Sequence, residues 1–85
     1  MKVTIYRITD REEYRVSSDE DPMIVMTLAS LPIGGVVQYP DLARKIMFMD
    51  AEIRMGKIVE RRFDLYNEEL VVRVKDTMLV GEVAQ

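Results

Sequence analysis

Arg54, Lys57 and Arg61 are the residues whose types and spacing could do chemistry. On a helix, separations of three and four put them on one side with Asp50, while Ala51, Met55, Ile58, Val59 and Phe63 take the other. A row of cations on a solvated helix face suits duplex DNA, offering charges for phosphates and a guanidinium for a guanine edge. Arg44 upstream and Lys75 downstream complete the candidate nucleic-acid-binding set. Two other readings of the stripe stay open. It is an ordinary solvated face, with Asp50 and Glu60 as neighbours for Arg54 and Arg61, or it is a protein interface.

Catalytic chemistry has little to work with. The chain has no histidine and no cysteine, which removes the usual general bases, thiol nucleophiles and zinc ligands. Ser17, Ser18 and Ser30 therefore lack triad partners. The acidic run Asp19-Glu20-Asp21 precedes Pro22 and reads as a helix cap before it reads as a carboxylate pair. Met47-Phe48-Met49 suits core filling better than soft-metal ligation, and Gly56-Lys57 lacks the flanking residues of a phosphate loop. The expectation is a protein that binds and does not catalyse, with no metal and no cofactor.

Length and composition bound the rest. Eighty-five residues, 48% hydrophobic and 32% charged, make a single globular domain over 1–85. The opening MKVTIYRITD has no apolar core of a signal peptide, and the uncharged stretch from Pro22 to Pro40 is broken by Pro32, Gly34 and Gly35. A soluble, cytoplasmic protein without a membrane segment is expected. The net charge of −3 is uneven: residues 41–62 carry six basic and four acidic groups, and residues 1–21 carry four basic and six acidic. The basic block is the middle of the chain, and the acidic surface lies at 10–21 and 64–69.

Residues 2–9 and 13–18 alternate and are rich in β-branched side chains, which predicts a hairpin turning at Asp10–Glu12. Asp21 and Pro22 open a short buried helix, Met23 to Leu31, that Pro32 stops. A Pro/Gly turn then leads to a short strand at Val36-Val37 and a second helix from Asp41. At the far end LVVRV and MLVGEV read as a hairpin.

Residues 47–65 admit helix or strand. The residue types favour a helix over 50–62, with Gly56 costing about 1 kcal/mol there relative to Ala. As strand, the odd positions Met47, Met49, Ala51, Ile53, Met55, Val59, Phe63 and Leu65 are apolar, in a meander with loops at 56–58, 66–69 and 76–77. Leu31, Pro32, Gly34, Val36, Tyr39, Leu42, Ala43 and Ile46 carry a resemblance that favours the helix. Segment 25–62 resembles the opening of the winged-helix domain in alkylguanine-DNA alkyltransferases and their alkyltransferase-like relatives. The Pro-Cys-His-Arg active-site motif of that family is absent, and Met47 stands where its turn has glycine.

The resemblance implies an α+β fold: a winged helix-turn-helix with an N-terminal β-hairpin, three short helices and a C-terminal β-hairpin wing. By that analogy residues 50–62 form the third helix, which reads duplex DNA in a transcription-associated role. A homodimer, paired through an edge strand of the first hairpin, would supply enough contacts. The alternative fold is a mainly antiparallel β meander with one or two short helices. The alternative function is a protein–protein adaptor or inhibitor acting through the acidic surface.

Overall fold

The computed structural model describes residues 1–41 and 52–77. Five strands and one helix follow in the order β1 (Lys2–Ile8), β2 (Glu13–Asp19), α1 (Pro22–Ser30), β3 (Val36–Asp41), β4 (Glu52–Asp64) and β5 (Glu69–Asp76). The strands form one sheet in the order β2-β1-β5-β4-β3, curled so that its two edge strands, β2 and β3, approach each other. Among the described residues no helix is long and apolar enough to cross a membrane.

The first hairpin forms where alternation and turn chemistry put it. The Thr9 amide donates to the Glu12 carbonyl at 2.8 Å, and the Thr9 hydroxyl accepts from the Glu12 amide at 3.1 Å. Four-residue turn 65–68 joins β4 to β5. Asp64 accepts from the Asn67 amide at 3.1 Å and from its side-chain nitrogen at 2.8 Å, and Glu68 takes the left-handed conformation. The pairing that ties the ends together is parallel: β1 lies beside β5 with Val3 opposite Leu70, Ile5 opposite Val72 and Arg7 opposite Val74.

The winged helix-turn-helix reading is overturned at β4. Residues 52–64 form a strand, paired with β3 on one side and β5 on the other. A winged helix needs three helices, and the described residues contain one. The physical reason lies in partners that helix propensity cannot see. β3 pairs with Glu52–Lys57 on one side of β4 and β5 with Gly56–Asp64 on the other, so the two ladders between them engage backbone groups along the whole strand. Gly56 belongs in this strand because its neighbours leave no room: a Cβ there would lie 2.9 Å from Val74 Cβ and 3.0 Å from Tyr39 Cε1. The β meander alternative comes closer, although the sheet is mixed, β4 runs unbroken through 56–58 and β1 is parallel to β5.

The odd-position strand pattern read from the sequence has the wrong phase before residue 59 and the right one at Phe63. Register shifts between Ile58 and Glu60, so Val59 is a bulge. Before the bulge the even positions Arg54, Gly56 and Ile58 face the core, opposite Tyr39, Val37 and Val74; after it the odd positions Arg61 and Phe63 do. Ile53 and Met55 therefore lie on the outer face. A second irregularity falls between Ile5 and Tyr6 opposite Val16.

The core is the concave face. Val3, Ile5, Val16, Val37, Tyr39, Ile58, Leu70, Val72 and Val74 pack there, joined by Leu28 from α1. The predicted second helix falls at residues 42–51, and the outer strand of the predicted wing at 78–83; both lie outside the described residues. Asp41, read as the start of that helix, ends β3 opposite Glu52.

Candidate functional site

The four described cations of the sequence-derived set do not form one surface. Arg54 points to the concave face and meets Asp76 at 3.4 Å. Arg61 reaches the C-terminal end of α1, where one guanidinium nitrogen donates to the Leu28 carbonyl at 3.2 Å and also to the Leu31 carbonyl. Both carbonyls lie where a helix leaves its last acceptors open, and a cation complements the dipole there. Lys57 and Lys75 sit directly opposite each other on β4 and β5, both exposed on the outer face. Arg44 lies outside the described residues.

Two further arginines that sequence reasoning passed over are held inside ion-pair networks. Arg7 grips Asp76 through its Nε, 3.0 Å from each carboxylate oxygen, and through a terminal nitrogen; it also donates to the Tyr14 hydroxyl. The hydrogen bond from Arg7 holds the Asp76 carboxyl below the usual carboxylate range. Burial opposes the shift, and the charges of Arg7 and Arg54 and the Tyr39 hydroxyl reinforce it. On the outer face Arg73 pairs with Glu13 at 2.8 Å and with Glu60, above the ring of Tyr6. Burial works against that charge, but Glu13 and Glu60 outweigh it and raise the Arg73 pKa. Among the described residues no group of three or more acidic side chains is placed to hold a metal ion.

The feature that stands open is apolar. α1 begins as the sequence dictates: Asp21 accepts from the Met23 amide at 2.9 Å, and Pro22 takes the first turn. The sequence PMIVMTLAS carries no charge, and helices apolar on all sides are normally buried. This one is not. Six of its nine residues are exposed, with Met23 at 71% and Met26 at 65%, and only Leu28 is buried. The expected buried helix is present, but it lies on the rim of the curled sheet and not within it.

Between α1 and β3 runs a groove of about 530 Å³. Its walls are Met23, Ile24 and Thr27 of the helix and Tyr39 and Pro40 of β3, and Val3 and Ile5 line it from β1. The volume is within the roughly 300–1,000 Å³ of sites that enclose a ligand or a few anchoring side chains. Two observations explain its position. The 32–35 loop is stitched to β4, since the Gly34 amide donates to the Ile58 carbonyl at 2.7 Å and the Ile58 amide to the Gly35 carbonyl at 2.9 Å. Gly34 makes the turn with a φ of 94°, open to glycine. This fixes where β3 starts and how far it stands from the helix.

Sequence reasoning missed this site because it placed the helix in the core. The signal available was the absence of any charge on nine consecutive helical residues beside an acidic cap. Comparison with protein-family models, curated proteins and solved structures returns no match.

Proposed function

We propose that this chain is a non-catalytic protein-binding module that engages its partner through the exposed apolar face of α1 and the adjoining groove. The observation that carries this reading is the uncharged helix with Met23 and Met26 largely in solvent. Soluble chains seldom leave such a face uncovered without a use for it, and methionine-rich surfaces adapt to partners because the thioether side chain repacks easily. Asp19 in the groove wall and Glu20 in the adjoining pocket, both from the acidic run 10–21 of the adaptor expectation, support the reading.

The duplex-DNA reading has less support. Arg54 and Arg61 are engaged within the fold, and two outer-face lysines remain of the described candidates.

A photo-crosslinking amino acid at Met26 tests the reading, with one at Arg62 as control, since Arg62 is exposed on the outer face. Incubated with extract of the source cell, the Met26 position should give a discrete protein adduct that the Arg62 position does not. Adducts from neither position, or equal adducts from both, would remove the proposal.

A further inference from the structure

Across residues 16–40 there is no lysine or arginine, while Asp19, Glu20 and Asp21 all fall in that span. This stretch supplies α1, β3 and one wall after another of the groove. The groove is apolar inside with one carboxylate, Asp19, in its wall, and two more follow at once in the chain: Glu20 in the shallower pocket beside Pro22 and Met26, and Asp21 at the cap of α1. The nearest cation at the helix C-terminal end, Arg61, is committed to the carbonyls of Leu28 and Leu31.

The occupant's backbone form follows from β3. It is an edge strand, and an edge normally invites another strand to add to it. Here Pro40 lies in β3 at the groove wall and has no amide hydrogen to donate, so a ladder along that edge would be interrupted. The contacts on offer come from side chains: Met23, Ile24 and Thr27. A helix that carries its own backbone hydrogen bonds and presents apolar side chains three and four residues apart suits such a surface.

We infer that the α1–β3 groove receives a basic amphipathic helix of a partner protein, with apolar anchors in the groove and Lys or Arg against Asp19, Glu20 and Asp21. This rests on the protein-binding reading above and specifies the partner's chemistry. Opposite charge at these three residues guides encounter and excludes acidic helices, while the apolar anchors supply most of the affinity.

Three fluorescent model helices of about 18 residues, or five turns, test it against the full chain. Each has the same leucine face and differs only in a polar face of Lys, Gln or Glu. By fluorescence anisotropy the Lys helix should bind at least about tenfold tighter than the Glu helix, and the difference should shrink between about 50 mM and about 500 mM salt as these charges are screened. Met23→Glu should weaken all binding, and the double variant Asp19→Asn, Glu20→Gln should remove only the preference for Lys. Equal binding of all three helices overturns the charge assignment. So does no binding of any, and if the Met26 adduct persists in that case the protein-binding reading survives without this one. A dimer in sedimentation that excludes the helices, or partition onto anionic vesicles in their place, shows that a second copy or a lipid surface is the occupant and overturns the inference.

Discussion

Arg7 and Asp76 are 69 residues apart in sequence and face each other across the concave side of the sheet, the Arg7 Nε 3.0 Å from both Asp76 carboxylate oxygens. Arg7 is near the end of β1 and Asp76 is the last residue of β5, so the pair closes the parallel ladder between them. Arg7 is largely shielded while Asp76 is about a third open to solvent, which places the pair between a surface and a buried ion pair. Asp76→Asn should lower stability by about 1–3 kcal/mol, as expected when a shielded cation loses a charged hydrogen-bond partner. Urea denaturation of the two proteins measures it.

The same pair sets an acid limit. The Asp76 carboxyl is held below its ordinary value in the folded state, chiefly by the Arg7 hydrogen bond. Its contribution is therefore fully present above the unfolded carboxylate value, about 3.9, and is lost as pH falls through the lower folded value. Asp64, held down mainly by hydrogen bonds from Asn67, acts in the same direction at the exposed β4–β5 turn. Stability should be flat with respect to these groups above about pH 5 and fall below about pH 4. In Asp76→Asn the acid limb should be shallower; an unchanged limb would show that other carboxylates govern acid unfolding.

Gly56→Ala separates the strand from the helix by sign. On a helix the substitution would stabilise by about 1 kcal/mol. In β4 the new methyl group meets Val74 and the Tyr39 ring at 2.9 and 3.0 Å, so a loss of about 1–3 kcal/mol is expected. Thermal unfolding of the single variant decides it.

Arg61→Ala should destabilise by about 1–2 kcal/mol, because the Leu28 and Leu31 carbonyls lose a charged donor at the end of α1. A solvent-exposed recognition residue would cost no more than about 0.5 kcal/mol. Arg61→Lys should recover part of the loss, since an ammonium can reach one carbonyl but lacks the planar fork.

Met23→Glu and Met26→Glu should leave the unfolding midpoint within the range of surface substitutions, about 0.5 kcal/mol. Fluorescence of a hydrophobic dye on the native protein should fall in both. A large loss of stability would mean that the helix face is core and not a docking surface.

What was legible in the chain was local. Asp21-Pro22 announces α1, Thr9–Glu12 sits at the predicted turn, and Val36-Val37 is strand as expected after the Pro/Gly turn. The hairpin loop expected at 66–69 differs by one position from the turn found. The errors arose where distant neighbours decide. Glu, Lys, Arg and Met favour helix in isolation, and nothing local to 52–64 shows that β3 and β5 flank it. The bulge at Val59 then breaks the two-residue period, so Lys57 and Arg61 looked like faults in a strand when they belong to opposite faces of one. Gly56 is the best clue, a residue that costs a helix stability and that this strand needs for the close approach of Val74 and Tyr39. Of the candidate site, the acidic cap was visible, but the exposure of α1 depends on the curl of the sheet, which no window of residues contains.

The parallel pairing of β1 with β5 has a consequence for synthesis. A ribosome makes β1 and β2 first, and that hairpin can close on its own within microseconds. The other edge of β1 must then wait, with KVTIYRI unpaired along one side, until Glu69–Asp76 has left the exit tunnel. At ordinary translation speeds of about 5–20 residues per second, that wait lasts several seconds. The first hairpin therefore spends those seconds with one edge of β1 unpaired, and a holding chaperone for it would meet its greatest need before β5 exists.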